Sequence, residues 1–286
     1  MTEKLRREDG YPIAVICDVI GLPRSSYYHR AKSSDDAQMN AAISKVLATF
    51  PTYGTRRVAA QLRRKPYQIQ ANRKRVQRVM RQNNWLQSVK RRKVRTTQGE
   101  HTYPRYPNLV KSLDATRPDQ VWVSDITYIR LRRSFVYLAV IMDVFTRSIR
   151  GWELSRHLDQ QLTLAALKRA LSEHIPTIHH SDQGVQYAAT AYVELLKVQG
   201  VQISMAAQGM PEENGYAERL MRTIKEEEMA LSDYADFTDA YAQIGHFIEQ
   251  VYQYKRIHSA LGYLTPSEFE TAWQLGAVEV KLASTA

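Results

Sequence analysis

Three acidic residues, Asp125, Asp182 and Glu218, sit where a catalytic domain would place them. Asp125 interrupts a stretch that is otherwise apolar or hydroxylic, Val121-Trp122-Val123-Ser124-Asp125-Ile126-Thr127. Burying a carboxylate in a strand is unfavourable unless a cation or a partner meets it, which makes Asp125 a site candidate. Asp182 closes a short strand-like segment in His180-Ser181-Asp182-Gln183-Gly184, where the glycine allows a sharp exit and the side chain can turn toward the crevice of Asp125. Glu218 lies in a helical pattern. Ala217, Leu220 and Ile224 form the apolar stripe of that helix, and Glu218, Arg222 and Lys225 fall together on a different face. A carboxylate trio of this kind could bind two divalent ions about 4 Å apart, activate a water or hydroxyl, and stabilise the leaving oxygen of a phosphodiester. Arg222 and Lys225 would then hold the nucleic-acid backbone. Singly, each acid has a plainer reading: Asp125 as a buried hydrogen-bonding carboxylate, Asp182 as a turn cap, Glu218 as an ion-pair partner of Arg222. Asp143, with Arg147 close behind, reads as a turn carboxylate bonded to neighbouring backbone.

The elements that must position these groups follow from periodicity. Val121 to Ile129, Phe135 to Met142 and Ser148 to Leu154 read as strands, and the unbroken apolar run of the second suits a strand covered on both faces. A helix at about 160–173, a strand at Thr177 to His180, a helix at about 188–199 and long helices at about 212–229 and 238–255 follow. The order βββαβα with further helices predicts an α/β domain with a mixed sheet and flanking helices.

The charge is divided unevenly along the chain. Residues 1–113 hold 24 Lys and Arg against 7 Asp and Glu, a balance of +17, and the remainder carries −6 of the net +11. One half therefore suits a polyanion, and the other supplies carboxylates. Nucleic acid is the leading polyanion, because the cations are interleaved with helix-spaced apolar residues. Ile13, Ile16, Cys17 and Ile20, the turn residue Gly21 and the helix opener Pro23 predict a helix-turn-helix whose second helix offers Arg24, Ser25 and Tyr28 to DNA. A second helical module offers Arg56 and Arg57 on one helix and Arg73, Lys74, Arg75 and Arg78 on a third at about 71–83. Lys90, Arg91, Arg92 and Lys93 open a proline-bearing linker that would track along DNA. The expected domains are a helix-turn-helix segment (1–35), a second helical DNA-binding module (36–88), a basic linker (89–114), the catalytic domain (115–270) and a tail (271–286).

Several motifs together resemble the catalytic, downstream-frame subunit of IS3-group insertion-sequence transposases, within the DDE, RNase H-like integrase superfamily. They are Tyr53-Gly54-Thr55-Arg56-Arg57, Pro107-Asn108-Leu109-Val110, Asp119 through Tyr128, His180 through Tyr187, Asn214-Gly215-Tyr216-Ala217-Glu218 through Lys225, and Arg256-Ile257-His258 through Pro266. The resemblance covers nearly the whole chain. Thirty-five residues lie between Asp182 and Glu218, the interval of the group's DD(35)E signature, and Lys225 stands seven residues after the glutamate. The resemblance implies an RNase H-like sheet preceded by all-α helix-turn-helix modules, with Asp125, Asp182 and Glu218 as catalytic metal ligands. It implies two Mg2+ ions, Mn2+ as a substitute, cleavage at element ends and strand transfer into target DNA. Arg256 and His258 are read either as DNA contacts or as packing of the last helices. Gln253, where many members have Asn, and the Met205 to Gly209 loop depart from the group's pattern without touching the triad. Double-stranded DNA, a homo-oligomer on DNA, and the upstream-frame protein or a frameshift fusion with it are the expected partners. The chain itself has Met1 and no heptad repeat.

The composition narrows the alternatives. One cysteine, Cys17, rules out a disulfide framework and the His/Cys zinc module of retroviral-type integrases. The longest apolar run, Phe135 to Met142, is far short of the roughly 18 residues of a membrane span, and with no secretory signal a cytoplasmic location, in the bacterial cytoplasm or nucleoid, is expected. The rival readings are a catalytically inactive or domesticated DNA-binding protein and an RNase H-like nuclease acting on RNA–DNA hybrids.

Overall fold

Alternation along the first strand is the start of the architecture. Val121, Val123 and Ile129 enter one apolar cluster, whereas Trp122 and Ile126 meet another, so both faces of the strand are covered. The computed structural model describes residues 10–28, 36–87, 105–132 and 134–278. In it β1 (Val121–Arg130), β2 (Phe135–Asp143), β3 (Ile149–Ser155), β4 (Ile178–Ser181) and β5 (Gln202–Met205) form one sheet, ordered β3-β2-β1-β4-β5. The β1–β2 and β2–β3 pairs are antiparallel and the β1–β4 and β4–β5 pairs parallel, which is the mixed α/β sheet that the pattern predicts.

Helices close both faces. On the side of Trp122 lie α6 (Gln160–Leu171), α7 (Val185–Ala188) and α8 (Thr190–Val198), which bury Leu162, Leu167, Tyr192 and Leu196. Gly151 in β3 lets α6 approach, because a Cβ there would stand 2.2 Å from the carbonyl oxygen of Ala166. On the side of Val121 lie α9 (Gly215–Ile224), which continues as a π-helical turn to Met229, and α10 (Phe237–His246), which continues likewise to Tyr252. The last helix, α11 (Pro266–Gln274), starts on a capping box of Thr265 and Glu268 and runs through the domain end expected at residue 270. Arg150 pins this helix to the sheet, with Nε 2.9 Å from Asp119 and Nη2 2.6 Å from Glu270.

The described chain divides after Ala41. Before that point, α1 (Ile13–Val19) and α2 (Arg24–Tyr28) flank Gly21, whose φ of +64° makes the predicted turn. The division falls within α3 (Ala37–Thr49). After it, α4 (Thr55–Arg63) and α5 (Arg73–Gln82) bury Val58, Leu62, Val76, Val79 and Met80, and Phe50 stacks on Tyr53 at 4.4 Å.

These helices are joined to the sheet domain across the boundary expected near residue 115. Tyr53 Oη accepts the Ile257 N–H at 3.0 Å, and Arg64 donates to the Tyr263 carbonyl and pairs with Glu268. Arg57 and Arg256 both bind the carboxylate of Glu227, each at 2.7 Å. Among the described residues no helix is long and apolar enough to cross a membrane.

Candidate active site

The β1–β4 register sets the centre of the site. Val121, Trp122 and Val123 pair with Ile178, His179 and His180, so the same register carried two residues onward places Asp125 beside Asp182. Adjacent strands lie about 4.8 Å apart, close enough for the two carboxylates to repel. Asp125 has the parity of Val121 and Val123 and therefore points to the face that α9 covers. Asn214, just before α9, donates Nδ2–H to the Ser124 carbonyl at 3.1 Å and holds the start of that helix against β1. Ala217, Leu220, Met221 and Ile224 are buried, and Glu218 is exposed beside them.

The electrostatics report the same convergence. Burial first, and then the Asp182 charge, push the Asp125 carboxyl up to about 7, with a smaller push from Glu218. The Ile126 N–H, which donates to Asp125 Oδ1 at 2.7 Å, and the Lys225 ammonium act the other way. That ammonium lies 5.8 Å from the centre of the Tyr128 ring. Asp182 Oδ1 accepts the Gly184 N–H at 2.9 Å, the turn-cap geometry that the glycine allows.

An acid whose carboxyl is pushed up by two neighbouring carboxylates, in a donor set that is all oxygen, suits a hard divalent cation. The three acids do not form a closed cage: among the described residues, no group of three or more His, Cys, Asp or Glu side chains is close enough to hold an ion. The donor set thus fits Mg2+ in chemistry, and the carboxylate oxygens stand apart.

The other expected site residues fall in several places. Arg24, Ser25 and Tyr28 are exposed on α2. Arg56 is exposed on α4, Arg73, Lys74 and Arg78 are exposed on α5, and Arg75 and Arg222 are half-buried. Arg57 and Arg256 are engaged with Glu227, and the Arg256 Nη1 lies 3.1–3.2 Å from the ring nitrogens of His258. Lys90, Arg91, Arg92 and Lys93 lie outside the described residues. Asp143 is fully buried and accepts from the Thr146 N–H at 2.9 Å and the Thr146 hydroxyl at 2.6 Å, the turn role read for it.

Two groups near the site carried no signal by spacing alone. Glu213 accepts from the Asn108 amide and the Ala207 N–H, both at 2.8 Å, and so ties the Pro107–Val110 motif and the loop after β5 to the start of α9. His180 spans Ser204 and the Glu213 carbonyl, and burial keeps it below the usual histidine range. The resemblance marked both motifs, and their joint task becomes visible only in the fold.

Two integrase core domain models match residues 115–211 and 199–266, and an HTH-like domain model matches 33–94. The insertion element IS600 31 kDa protein of Shigella sonnei is 33% identical over 89% of this chain and 97% of its own. The transposase for insertion sequence element IS904 of Lactococcus lactis is 31% identical over 85% and 98%, and the transposase InsF for insertion sequence IS3A of Escherichia coli K12 is 30% identical over 91% and 94%. A simian T-cell lymphotropic virus intasome chain shares the fold, with a TM-score of 0.50 and 13% identity over 85% of this chain and 80% of its own. An RNase H-like sheet with an HTH-like helical module, and relatives aligned over nearly the full length, place the chain in a known group: it belongs to the IS3-type insertion-sequence transposases, which are integrase-type DDE polynucleotidyl transferases that bind DNA and use divalent metal.

Proposed function

We propose that Asp125, Asp182 and Glu218 hold two Mg2+ ions, with Mn2+ able to replace them, and that this centre cuts element ends and joins them to target DNA. The observation that carries the reading is the β1–β4 register, which sets Asp125 beside Asp182 on the face that α9 covers. Bound there, the ions would lower the pKa of an attacking water or hydroxyl and neutralise charge on the leaving oxygen. Asp125 and Asp182 would fix the ligand geometry from the rigid sheet, and Glu218 would complete it from the helix. Lys225 would hold a phosphate flanking the scissile bond, and Arg222 a neighbouring one.

In the first step water adds to phosphorus, and the bond to the 3′ oxygen breaks, leaving a 3′ hydroxyl and a 5′ phosphate. In the second that hydroxyl attacks a target phosphodiester. One ester bond forms, one breaks, and the displaced oxygen takes up the proton, so neither an oxidant nor a covalent protein–DNA bond is needed. Exposed cations on α2, α4 and α5, with Lys90 to Lys93, would position the duplex. We assign the working form to a homo-oligomer on DNA in the bacterial cytoplasm, assembled with the upstream-frame protein or a fusion with it.

The test is Asp125→Asn, Asp182→Asn and Glu218→Gln, each assayed for cleavage and joining of labelled element ends and for DNA affinity. All three should lose both reactions and keep the affinity. Near wild-type joining in any one of them would remove that residue from the metal site.

A further inference from the structure

The face of α9 turned away from Glu218 borders a second cationic site. Tyr216, Arg219 and Thr223, spaced i, i+3 and i+7, line a cleft of about 110 Å³ together with Arg57, Arg147, Arg256 and His258. The Arg147 guanidinium lies over the Tyr216 ring, 4.2 Å from its centre. Four arginines thus meet in one cleft, and among the described residues Glu227 is the only carboxylate bonded to any of them, to Arg57 and Arg256. Arg147 and Arg219 have no carboxylate partner among the described residues, and Arg219 is exposed. After burial, the charges of Arg256, Arg147, Arg57 and Arg219 hold His258 down to about 2, so the imidazole is neutral and adds no charge of its own. The cleft carries three more positive charges than negative ones.

Its size selects the occupant. Drug-sized ligands and whole nucleotides need roughly 300 Å³ or more, whereas 110 Å³ suits one small anionic group. Planar guanidinium forks suit phosphate oxygens, and an aromatic ring under one fork restrains its orientation.

We propose that this cleft is a second phosphate site, which seats one backbone phosphodiester of duplex DNA on the side of α9 opposite the metal carboxylates. The proposal rests on the DNA-joining function above but not on the metal assignment. A helix with its side chains is about 10 Å across, so a phosphate seated here and one at Glu218 would be held apart by the rigid body of one helix.

The experiment measures duplex affinity of the full chain by fluorescence anisotropy in EDTA at several salt concentrations. The variants are Arg147→Ala, Arg219→Ala, the double variant and both lysine replacements. Because both cations serve one phosphate, each alanine variant and the double variant should lower the slope of log affinity against log salt by about one in total. The lysine variants should retain most of the slope. Asp125→Asn, as a comparison, should keep the wild-type slope, which separates failure here from failure of the metal centre. An unchanged slope would overturn the proposal, and so would independent losses summing to about two in the double variant, the mark of two separate surface contacts. Inorganic phosphate that shifts the His258 ring resonances while the alanine variants keep their DNA slope would assign the cleft to free phosphate and overturn the phosphodiester. Neither arginine belongs to the Glu227 bridge, and melting curves check folding. Should the double variant unfold, Arg219→Ala, at an exposed position, decides alone.

Discussion

Lys225 and Glu227 are two residues apart and do opposite things with their charge. The Lys225 ammonium draws the Asp125 carboxyl down and rests near the Tyr128 ring. Lys225→Ala should therefore slow joining of precleaved ends by at least tenfold with the fold intact, and Lys225→Arg should recover part of the rate, because a phosphate needs a cation more than one shape. Equal joining by the alanine variant would return Lys225 to an ordinary surface role. Glu227 is spent on structure. Burial pushes its carboxyl up, but the hydrogen bonds and charge of Arg256, with those of Arg57, outweigh burial and hold it below the usual range. Removing one partner of a buried ion cluster typically costs about 3–5 kcal/mol, because the remaining charges are left buried and unpaired. Glu227→Gln should lower Tm by several degrees at pH 7. The stabilisation from a depressed carboxyl is complete above its unfolded value of about 4.3 and is lost as pH falls through the lower folded value. The Tm gap between wild type and Glu227→Gln should therefore close as pH falls below 4, and a gap that stayed constant would show that the charge is not what stabilises.

At the scale of elements, close approach decides tolerance. Gly151→Ala would drive a methyl into the Ala166 carbonyl, a backbone atom that cannot swing aside, and should cost about 1–3 kcal/mol or more by overpacking. Urea denaturation checks this, and a loss under 0.5 kcal/mol would mean that α6 moves freely on the sheet. The longer elements were legible in the chain. β1, β2 and β3 carry β-branched and aromatic runs, and α6 carries an apolar stripe, so their predicted spans hold to within about two residues, whereas the helix expected at about 212–229 is α9 only over Gly215–Ile224, with a π-helical turn after it. β5 was not foreseen, since Gln202–Met205 is four residues long and too short to show a period. α11 also went unremarked, although Thr265, Pro266 and Glu268 spell a helix start. Asp125 could be singled out in the chain because a carboxylate in an apolar strand is costly in any fold. The engagement of Arg57 with Glu227 was not legible, because 170 residues separate the pair and an arginine on a basic helix reads as a phosphate contact.

The larger of the two units is held together across its length. Residues 42–278 share one compact unit, in which helices early in the chain dock on its last turns. One heat-absorption peak in calorimetry should cover this unit, and Arg256→Met should broaden or split it, whereas two peaks in the wild type would show independent halves. Binding to duplex DNA should fall steeply with salt, as for any chain that neutralises many phosphates. The same docking sets a clock on synthesis. Tyr53 meets Ile257 only after 204 more residues have been made, which at roughly 5–20 residues per second takes about 10–40 s. For that interval the early helices emerge from the ribosome with Tyr53 and Arg64 lacking their late partners, and Arg57 waits 170 residues for Glu227. Final docking is thus an event of the finished chain, and a ribosome that stalls before residue 257 leaves the early helices without their anchor.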